Sequence, residues 1–383
     1  MIKMKIETIK LIPASKYLFV EITTNTGIKG VGEVGVWGFL DSTAEVIDKF
    51  RDYLVGKDPF NIEDHWNYLY RSMYFRGNII MGALSAIDIA LWDIKGKALG
   101  VPIYQLLGGK TRDKIRCYAV AFAYTPETIA KQCLNLKKSG FNAVRLMITK
   151  NIEDSSSSKV SKTFSQSIKD YLANIKACRE AVGDDFDIIL ECHRSLTPAE
   201  AIVLSQRAAK YNPLFIEDPI APDNVEMMQE VAEKSPIPVA TGERNINIQE
   251  FEIQLQHHAA KYVRPDVCVV GGITAGKKIA SIAEANYAQI VPHNPLGPIS
   301  TAACIQLAAS IPNFAIQEFP SFYFQGEESK MLKDSFEVHN GYITVPERPG
   351  LGIELIKDVE EKYPVAQRNI KAQRAFDGSI VDV

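Results

Sequence analysis

The chain has 383 residues, of which 46% are hydrophobic and 23% charged, and its formal net charge is −3. These values are typical of a globular protein with more than one domain and argue against disorder or a fibrous repeat. The small negative charge gives no electrostatic basis for binding nucleic acid, so we expect the partner to be a small molecule.

The cysteines and the apolar segments bear on location. The six cysteines include no C-x-x-C pair, and the N-terminus MIKMKIETIKLIP lacks the long apolar stretch of a signal peptide. No later stretch approaches the roughly 18 consecutive apolar residues of a membrane span. We therefore expect a protein of the reducing cytoplasm with no membrane association.

The N-terminal part of the chain mixes strand and helix patterns. Two alternating segments, KMKIETIKLIPAS and YLFVEITTNTGIKGVGEV, are typical of paired strands. Helical segments follow and end in ALSAIDIALWDIKGKALGVPIYQLLGG, where Gly100 and Pro102 predict a helix end. These patterns predict a small α+β domain over residues 1–115.

From Arg116 onward, short apolar stretches alternate with amphipathic helical stretches, which is the pattern of βα units in a parallel sheet. In one unit, Thr197, Pro198 and Glu200 form the signature of a capped helix start. The predicted strands are CYAVAF, NAVRLM, DIILEC, PLFIED, PVATG, YVRPDV, QIVPH and FAIQE. Eight such units predict an α/β barrel of the (β/α)8 type, a modified TIM barrel, over residues 116–325.

Polar residues lie at the ends of six of these strands, at nearly regular intervals along the chain. They are Glu191, Glu217, Glu243, Asp266, His293 and Glu318. Neighbouring members of this set are 23 to 27 residues apart, which is the length of one βα unit, so the six side chains should ring one mouth of the barrel. Side chains two apart on a strand face the same way, so His193 should face this mouth together with Glu191, while Cys192 faces the helices.

Three of these carboxylates come from adjacent strands. Glu191, Glu217 and Glu243 would repel one another by about 4 kcal/mol per close pair at an effective dielectric near 20. A divalent cation removes this conflict, and a set of oxygen ligands without cysteine suits Mg²⁺. The alternative is a set of carboxylates held in structural salt bridges.

The remaining polar residues at the mouth are candidates for catalysis or substrate binding. An aspartate orients a histidine and raises its basicity, so Asp266 and His293 predict a general base. His193 faces the carboxylates from the other side, with a structural hydrogen bond as the alternative role. Glu318 can hydrogen bond a substrate oxygen or be a buried, paired acid. Arg145 can hold a substrate hydroxyl or carboxylate, or form an ion pair with a nearby acid.

Several longer stretches of the sequence resemble a known family. They are GVGEV, AIDIALWDIKGKALGVPIYQLLGG, FIEDP, ATGER, RPDVCVVGGIT, PHNPLGPI and PERPGLGIE. With these stretches the sequence is similar to the enolase superfamily, in the mandelate racemase-like group, and most similar to the acid sugar dehydratases typified by galactonate and mannonate dehydratases. The stretches span nearly the whole chain and are specific for the superfamily, but much less specific for the substrate.

The resemblance implies a fold, a cofactor and a reaction. Residues 1–115 would be a capping domain, to which residues 326–383 return. Trp37 would face the substrate from a capping loop, with a place in the core of the N-terminal domain as the alternative. Mg²⁺ on the three glutamates would stabilise an enediolate formed when His293 removes the proton next to a carboxylate. His193 would then protonate the departing hydroxyl. The product would be a 2-keto-3-deoxy sugar acid, made by a lyase that forms dimers or octamers.

Three departures from the family pattern bear on this expectation. The first metal ligand is usually aspartate, but here it is Glu191. The second barrel strand has Arg145 and Met147 where racemases and cycloisomerases have K-x-K. The mannonate dehydratases of the family use a tyrosine from the loop after the second barrel strand. The corresponding stretch here, NIEDSSSSKVSKTFSQSIKD, contains no tyrosine, which makes mannonate a poor candidate substrate. The stretch is either a substrate lid or a solvated insertion. The alternatives are a racemase, epimerase or cycloisomerase, or a catalytically silent relative that binds metal or sugar acid.

Overall fold

The computed structural model describes residues 3–123, 125–148, 163–320, 327–366, 373–374 and 378–381. All six cysteines lie within these ranges, and each is a buried free thiol. Among the described residues, no helix combines the length and the apolar character needed to cross a membrane.

The N-terminal part is an antiparallel sheet covered by helices. Its strands pair in the order β1 (Ile6–Ala14), β2 (Tyr17–Thr24) and β3 (Lys29–Glu33). The helices are α1 (Leu40–Leu54), α2 (Ile62–Arg71), α3 (Asn78–Leu99) and α4 (Ile103–Leu106). Helix α3 can lie directly on β3 because Gly30 and Gly32 have no side chains: a Cβ at Gly32 would overlap the carbonyl oxygen of Ala86. As predicted, α3 ends at Gly100, which adopts φ 71°.

The expected barrel is confirmed. Its parallel strands are β4 (Lys114–Ala121), β5 (Ala143–Met147), β6 (Asp187–Glu191), β7 (Phe215–Glu217), β8 (Val239–Thr241), β9 (Tyr262–Val263), β10 (Gln289–Ile290) and β11 (Gln317–Glu318). They pair in sequence order from β4 to β10, and β11 pairs with β4. A parallel bridge between Ile290 and Phe314 joins β10 to the residues just before β11, so the strands are connected all the way round.

In the part of the chain that the structure describes, seven helices cover the outside of the barrel. They are α5 (Pro126–Lys138), α6 (Phe164–Val182), α7 (Pro198–Ala208), α8 (Val225–Lys234), α9 (Ile248–Gln256), α10 (Gly272–Ala285) and α11 (Pro298–Ser310). The predicted capping box of α7 is present, since the Thr197 side chain accepts a hydrogen bond from the backbone of Glu200.

Several barrel strands are shorter than the sequence predicts. YVRPDV and QIVPH give strands of only two residues, because Pro265 and Pro292 have no N–H to donate to a ladder. As a result Asp266 and His293 lie in the loops just after their strands. At the other end, β4 begins at Lys114, before the predicted start of the barrel region at residue 116.

Inside the barrel an apolar layer lies beneath the predicted site. It consists of Tyr118, Ala143, Ile189, Phe215, Ala240, Val291 and Ile316. Because side chains alternate along a strand, the residues two positions further on also point inward, at the carboxyl ends of the strands. Arg145, Glu191, Glu217, His293 and Glu318 stand at these positions, so the polar layer lies directly above the apolar one.

The C-terminal residues contact both parts of the structure. They contain a 3₁₀ helix (Glu327–Met331), strands β12 (Val338–His339) and β13 (Tyr342–Thr344), helix α12 (Val359–Lys362), and strands β14 (Gln373–Arg374) and β15 (Ile380–Val381). Strand β13 pairs antiparallel with the start of β4. Further on, the N–H of Leu351 donates to Asp93 in α3 at 2.9 Å, and Glu360 pairs with Lys10 in β1 at 2.5 Å. The domain limits at residues 115 and 325 stay a prediction.

Candidate active site

Four carboxylates meet at the carboxyl ends of β6, β7 and β8. Glu191 and Glu217 end their strands directly opposite each other in the register, and Glu243 follows β8. One oxygen from each of these residues and from Asp218 lies within 4.8 Å of the others. The structure therefore brings the three predicted metal ligands together and adds a fourth carboxylate.

Sequence reasoning missed Asp218 because strand alternation points it away from Glu217. The backbone of Asp218 is left-handed, with φ 39°, and this turns its side chain back toward the mouth. Its carboxylate accepts a hydrogen bond from the Thr241 hydroxyl at 2.5 Å and is buried. Burial, followed by the charge of Glu243, raises the pKa of Asp218 to about 7.

Two buried arginines connect the cluster to Glu318. Arg145 Nη1 lies 2.7 Å from Glu217 Oε1 and 2.8 Å from Glu318 Oε1. Arg264 Nη2 lies 2.9 Å from Glu217 Oε1 and 2.8 Å from Glu318 Oε2. Arg145 and Glu318 therefore form the ion pairs that the sequence left open as alternatives, and their contact with substrate stays a prediction. Arg264 was missed, although its position two residues before Asp266 in YVRPDV places it on the same face.

A third arginine, Arg194, lies against Glu243. Its guanidinium forms an ion pair with Glu243 Oε1, and its Nη2 lies 3.0 and 3.2 Å from the two ring nitrogens of His193. His193 and Arg194 both have left-handed backbones, with φ 47° and 63°, and the His193 N–H donates to Glu191 Oε1 at 2.5 Å. This turn brings Arg194 to the mouth, although strand alternation would point its side chain away from it.

The balance of negative and positive charges in the cluster shows whether a divalent cation fits there. Five carboxylates, those of Glu191, Glu217, Asp218, Glu243 and Glu318, meet the guanidiniums of Arg145, Arg194 and Arg264. When all are ionised, two negative charges are left over. Burial and then the charge of Glu217 raise the pKa of Glu191 well above its usual value. In addition, Glu217 Oε2 is buried and accepts no hydrogen bond from the described residues. Clustered oxygen donors with two excess charges and an unpaired oxygen suit Mg²⁺.

The predicted histidine–aspartate pair is formed. His293 Nδ1 lies 2.9 Å from Asp266 Oδ2, and His293 Nε2 lies 3.4 Å from Glu243 Oε2. The other oxygen of Asp266 accepts the N–H of Cys268 at 2.8 Å. Burial lowers the pKa of His293, but the carboxylates of Glu243 and Asp266 outweigh it, so the net shift is upward. The ring is therefore held by Nδ1 and directs Nε2 toward the carboxylate cluster.

The other predicted site residues lie in different surroundings. Burial and the charge of Arg194 lower the pKa of His193 to about 4, so its ring is neutral at pH 7. Arg145, Arg264 and His293 outweigh burial and lower the pKa of Glu318 to about 2. Trp37 is half-buried and packs against the main apolar core. Of the serine-rich stretch, residues 151–162 lie outside the described residues, and α6 begins at Phe164.

The parallel barrel with clustered carboxylates and a histidine–aspartate pair at one mouth, next to an α+β N-terminal part, is the arrangement that the resemblance to the enolase superfamily implies. Residues 128–359 match the family described as "Enolase C-terminal domain-like", and residues 2–108 match "Mandelate racemase / muconate lactonizing enzyme, N-terminal domain". The chain belongs to this mandelate racemase and muconate lactonizing enzyme family.

Known relatives match over nearly the whole chain. The D-galactonate dehydratase of Xanthomonas oryzae pv. oryzae (strain PXO99A) is 34% identical over 378 residues, which cover 96% of this chain and 97% of the relative. That of Ralstonia nicotianae is 34% identical and covers 99% of both. Among solved structures, a candidate galactarate dehydratase from Agrobacterium radiobacter with bound Na and L-malate has a TM-score of 0.91 and 29% identity, over 99% of this chain and 100% of that chain.

These matches confirm the expected superfamily, the mandelate racemase-like group and the expected enzyme class, a lyase of the acid sugar dehydratase type. The roles of the individual site residues stay predictions.

Proposed function

We propose that the protein is a Mg²⁺-dependent dehydratase that converts a sugar acid to a 2-keto-3-deoxy sugar acid. The observation that carries the proposal is the position of His293 Nε2, which is held by Asp266 and directed at a cluster of four carboxylates. The full-length similarity to D-galactonate dehydratases supports the choice of substrate class and makes galactonate the first acid to test.

Each residue then has a defined task. Glu191, Glu217 and Glu243 would hold Mg²⁺, with Asp218 as a nearby fourth carboxylate. A bound Mg²⁺ would supply positive charge to the substrate carboxylate and so acidify the neighbouring C–H. His293 Nε2 would accept that proton, and Asp266 would stabilise the imidazolium formed.

His193 would protonate the departing β-hydroxyl, and because its ring is neutral at pH 7 it would first have to take up a proton. Arg194 contacts both ring nitrogens of His193 and also pairs with Glu243. This step therefore requires Arg194 to leave both partners before His193 can reach the substrate and Glu243 can act as a ligand.

A screen of sugar acids tests the function. The protein is incubated with Mg²⁺ and a set of aldonates in D₂O, and 2-keto products and deuterium incorporation are both measured. We expect a 2-keto-3-deoxy product from at least one acid, and loss of this product in His293→Asn but not in His339→Asn, an exposed histidine. Deuterium incorporation without a 2-keto product would favour a racemase or epimerase. No reaction with any acid, together with metal binding, would favour a silent relative.

The family resemblance also leads us to propose a homo-oligomer, a dimer or an octamer. Light scattering of the purified protein measures its mass, and a monomer would contradict this part of the proposal.

A further inference from the structure

The first turn of the helix that follows the His293 loop is capped by a side chain from the N-terminal part of the protein. Helix α11 has Gly297 as its N-cap, and Pro298 has no N–H to donate. The other free N–H groups of the first turn, from Gly297, Ile299 and Ser300, donate to the carboxylate of Glu33 at 2.6, 3.1 and 2.9 Å. Glu33, the last residue of β3, therefore satisfies the whole start of this helix.

The helix that follows the Asp266 loop begins in the same way. The N–H and hydroxyl of Thr274, in the first turn of α10, donate to Asp88 at 3.0 and 2.5 Å. Just before this turn, the N–H of Gly271 donates to the Ser85 hydroxyl at 2.8 Å, and Trp66 Nε1 donates to the Gly271 carbonyl at 2.8 Å. Asp88, Ser85 and Trp66 all belong to α2 and α3, in the N-terminal part.

The two contacts leave no space for adjustment. Glu33 is fully buried and Asp88 nearly so. A Cβ at Gly297 would lie 2.6 Å from Glu33 Oε1, and a Cβ at Gly272 would overlap the Asp88 carboxylate. Each helix thus starts with a glycine that admits an acid from the other part of the protein.

Short, hydrogen-bonded connections lead from these helix starts to the catalytic pair. Only Asn294, Pro295 and Leu296 separate His293 from Gly297, and the Asn294 side chain donates to the Thr301 hydroxyl of α11 at 2.9 Å. After Asp266, the N–H groups of Val269 and Val270 donate to the Asp266 carbonyl at 2.9 Å each. A displacement of either helix start would therefore move His293 or Asp266.

We propose that Glu33 and Asp88 are positioning residues, which hold the His293–Asp266 pair in place by fixing the first turns of α11 and α10. In this proposal the N-terminal part sets the geometry of the base. This inference rests on the proposed function for the role of His293, but the geometry itself can be measured without any substrate.

Four variants test the proposal: Glu33→Ala, Glu33→Gln, Asp88→Ala and Gly297→Ala. The control is Asp93→Ala, which removes another buried acid of α3 that binds the N–H groups of Val31 and Leu351 rather than a barrel helix. Hydrogen exchange followed by mass spectrometry should show faster exchange over residues 293–300 in Glu33→Ala and Gly297→Ala, and over 266–274 in Asp88→Ala. Asp93→Ala should change neither segment.

Kinetics with the acid found in the screen provide the second measurement. Because a misplacement near 1 Å costs roughly 10²-fold in rate, kcat should fall about 10²-fold in the three alanine variants at Glu33, Asp88 and Gly297, with KM and Mg²⁺ affinity nearly unchanged. Glu33→Gln keeps the shape of the side chain and one acceptor oxygen, so its kcat should lie between Glu33→Ala and wild type. Asp93→Ala should lose thermal stability but keep its kcat.

Two results would overturn the proposal. One is wild-type exchange over 293–300 in Glu33→Ala, and the other is an equal loss of kcat in Asp93→Ala, which would reveal a general effect of stability. Gly297→Ala keeps the Glu33 carboxyl and so gives an answer even if Glu33→Ala does not fold. If no sugar acid is turned over, the proposed function fails, and the exchange experiment alone decides the inference.

Discussion

Replacing Glu33 with glutamine should change how the stability of the protein depends on pH. Burial raises the pKa of Glu33 from 4.5 to about 8 in the folded protein, against the opposing effect of its three backbone hydrogen bonds. Between these two values the folded state holds a proton that the unfolded state has released. The stabilisation of the folded state by this proton is therefore complete below about pH 4.5 and is lost as pH rises toward 8.

The size of the effect follows from the difference between the pKa of Glu33 in the folded and unfolded states. A tenfold change in the proton affinity of a group corresponds to about 1.4 kcal/mol, so the full window amounts to about 5 kcal/mol, and the interval from pH 5 to pH 7 to about 3 kcal/mol. Glutamine cannot titrate. The free energy of unfolding of wild type should therefore fall, relative to Glu33→Gln, by about this amount between pH 5 and pH 7.

Urea unfolding at a series of pH values measures the difference. EDTA is included so that metal binding does not contribute, and the exposed change Glu127→Gln in α5 is the matched control. Asp88→Asn should give a difference of the same sign, because burial raises the pKa of Asp88 from 3.8 to about 7. A wild-type stability that rises with pH relative to Glu33→Gln would refute the reasoning, since it would mean that the hydrogen bonds to the carboxylate outweigh its burial.

Three further predictions concern the site. Glu217→Gln removes the carboxylate with the unpaired oxygen, so Mg²⁺ affinity measured by calorimetry should fall at least about tenfold, and unchanged affinity would place the metal elsewhere. Arg194→Met removes the cation paired with Glu243, so Mg²⁺ affinity should rise at least about tenfold; weaker binding would show that Arg194 supports the metal site. Asp266→Asn leaves His293 Nδ1 without an anionic partner, so kcat in the dehydration assay should fall about 10²-fold with little change in KM, and a wild-type kcat would exclude the pair as the base.

Much of the fold could be predicted because its signals are local and repeated. Each barrel unit carries an apolar strand followed by an amphipathic helix, and the regular spacing of polar strand ends from Glu191 to Glu318 placed these residues at one mouth. Strand ends were less predictable. Pro265 and Pro292 lie inside stretches that otherwise read as strands, and their missing N–H groups end the ladders early.

Most of the predicted site residues follow strand alternation, and the repeat spacing added Glu243 in the loop after β8. Glu191, Glu217 and His293 obey the alternation, whereas Asp218 and Arg194 reach the mouth through left-handed backbone conformations that no pattern in the sequence signals. The contacts of Glu33 and Asp88 were also missed. They join residues 264 and 186 positions apart, and no local pattern connects such pairs.

The unusual glutamate at position 191 is connected to the position of Arg194. Glu191 uses one oxygen to accept the His193 N–H at 2.5 Å, and this bond holds the left-handed turn in which Arg194 reaches Glu243. The other oxygen lies 3.5 Å from Arg145 Nη1. An aspartate is one methylene shorter: it can still accept the N–H two residues on, as in an Asx-turn, but from an unchanged backbone its carboxylate would end farther from Arg145. Glu191 and the arginine at the predicted metal ligands are therefore linked through the His193 turn, and in this arrangement the chain itself supplies positive charge to the carboxylates.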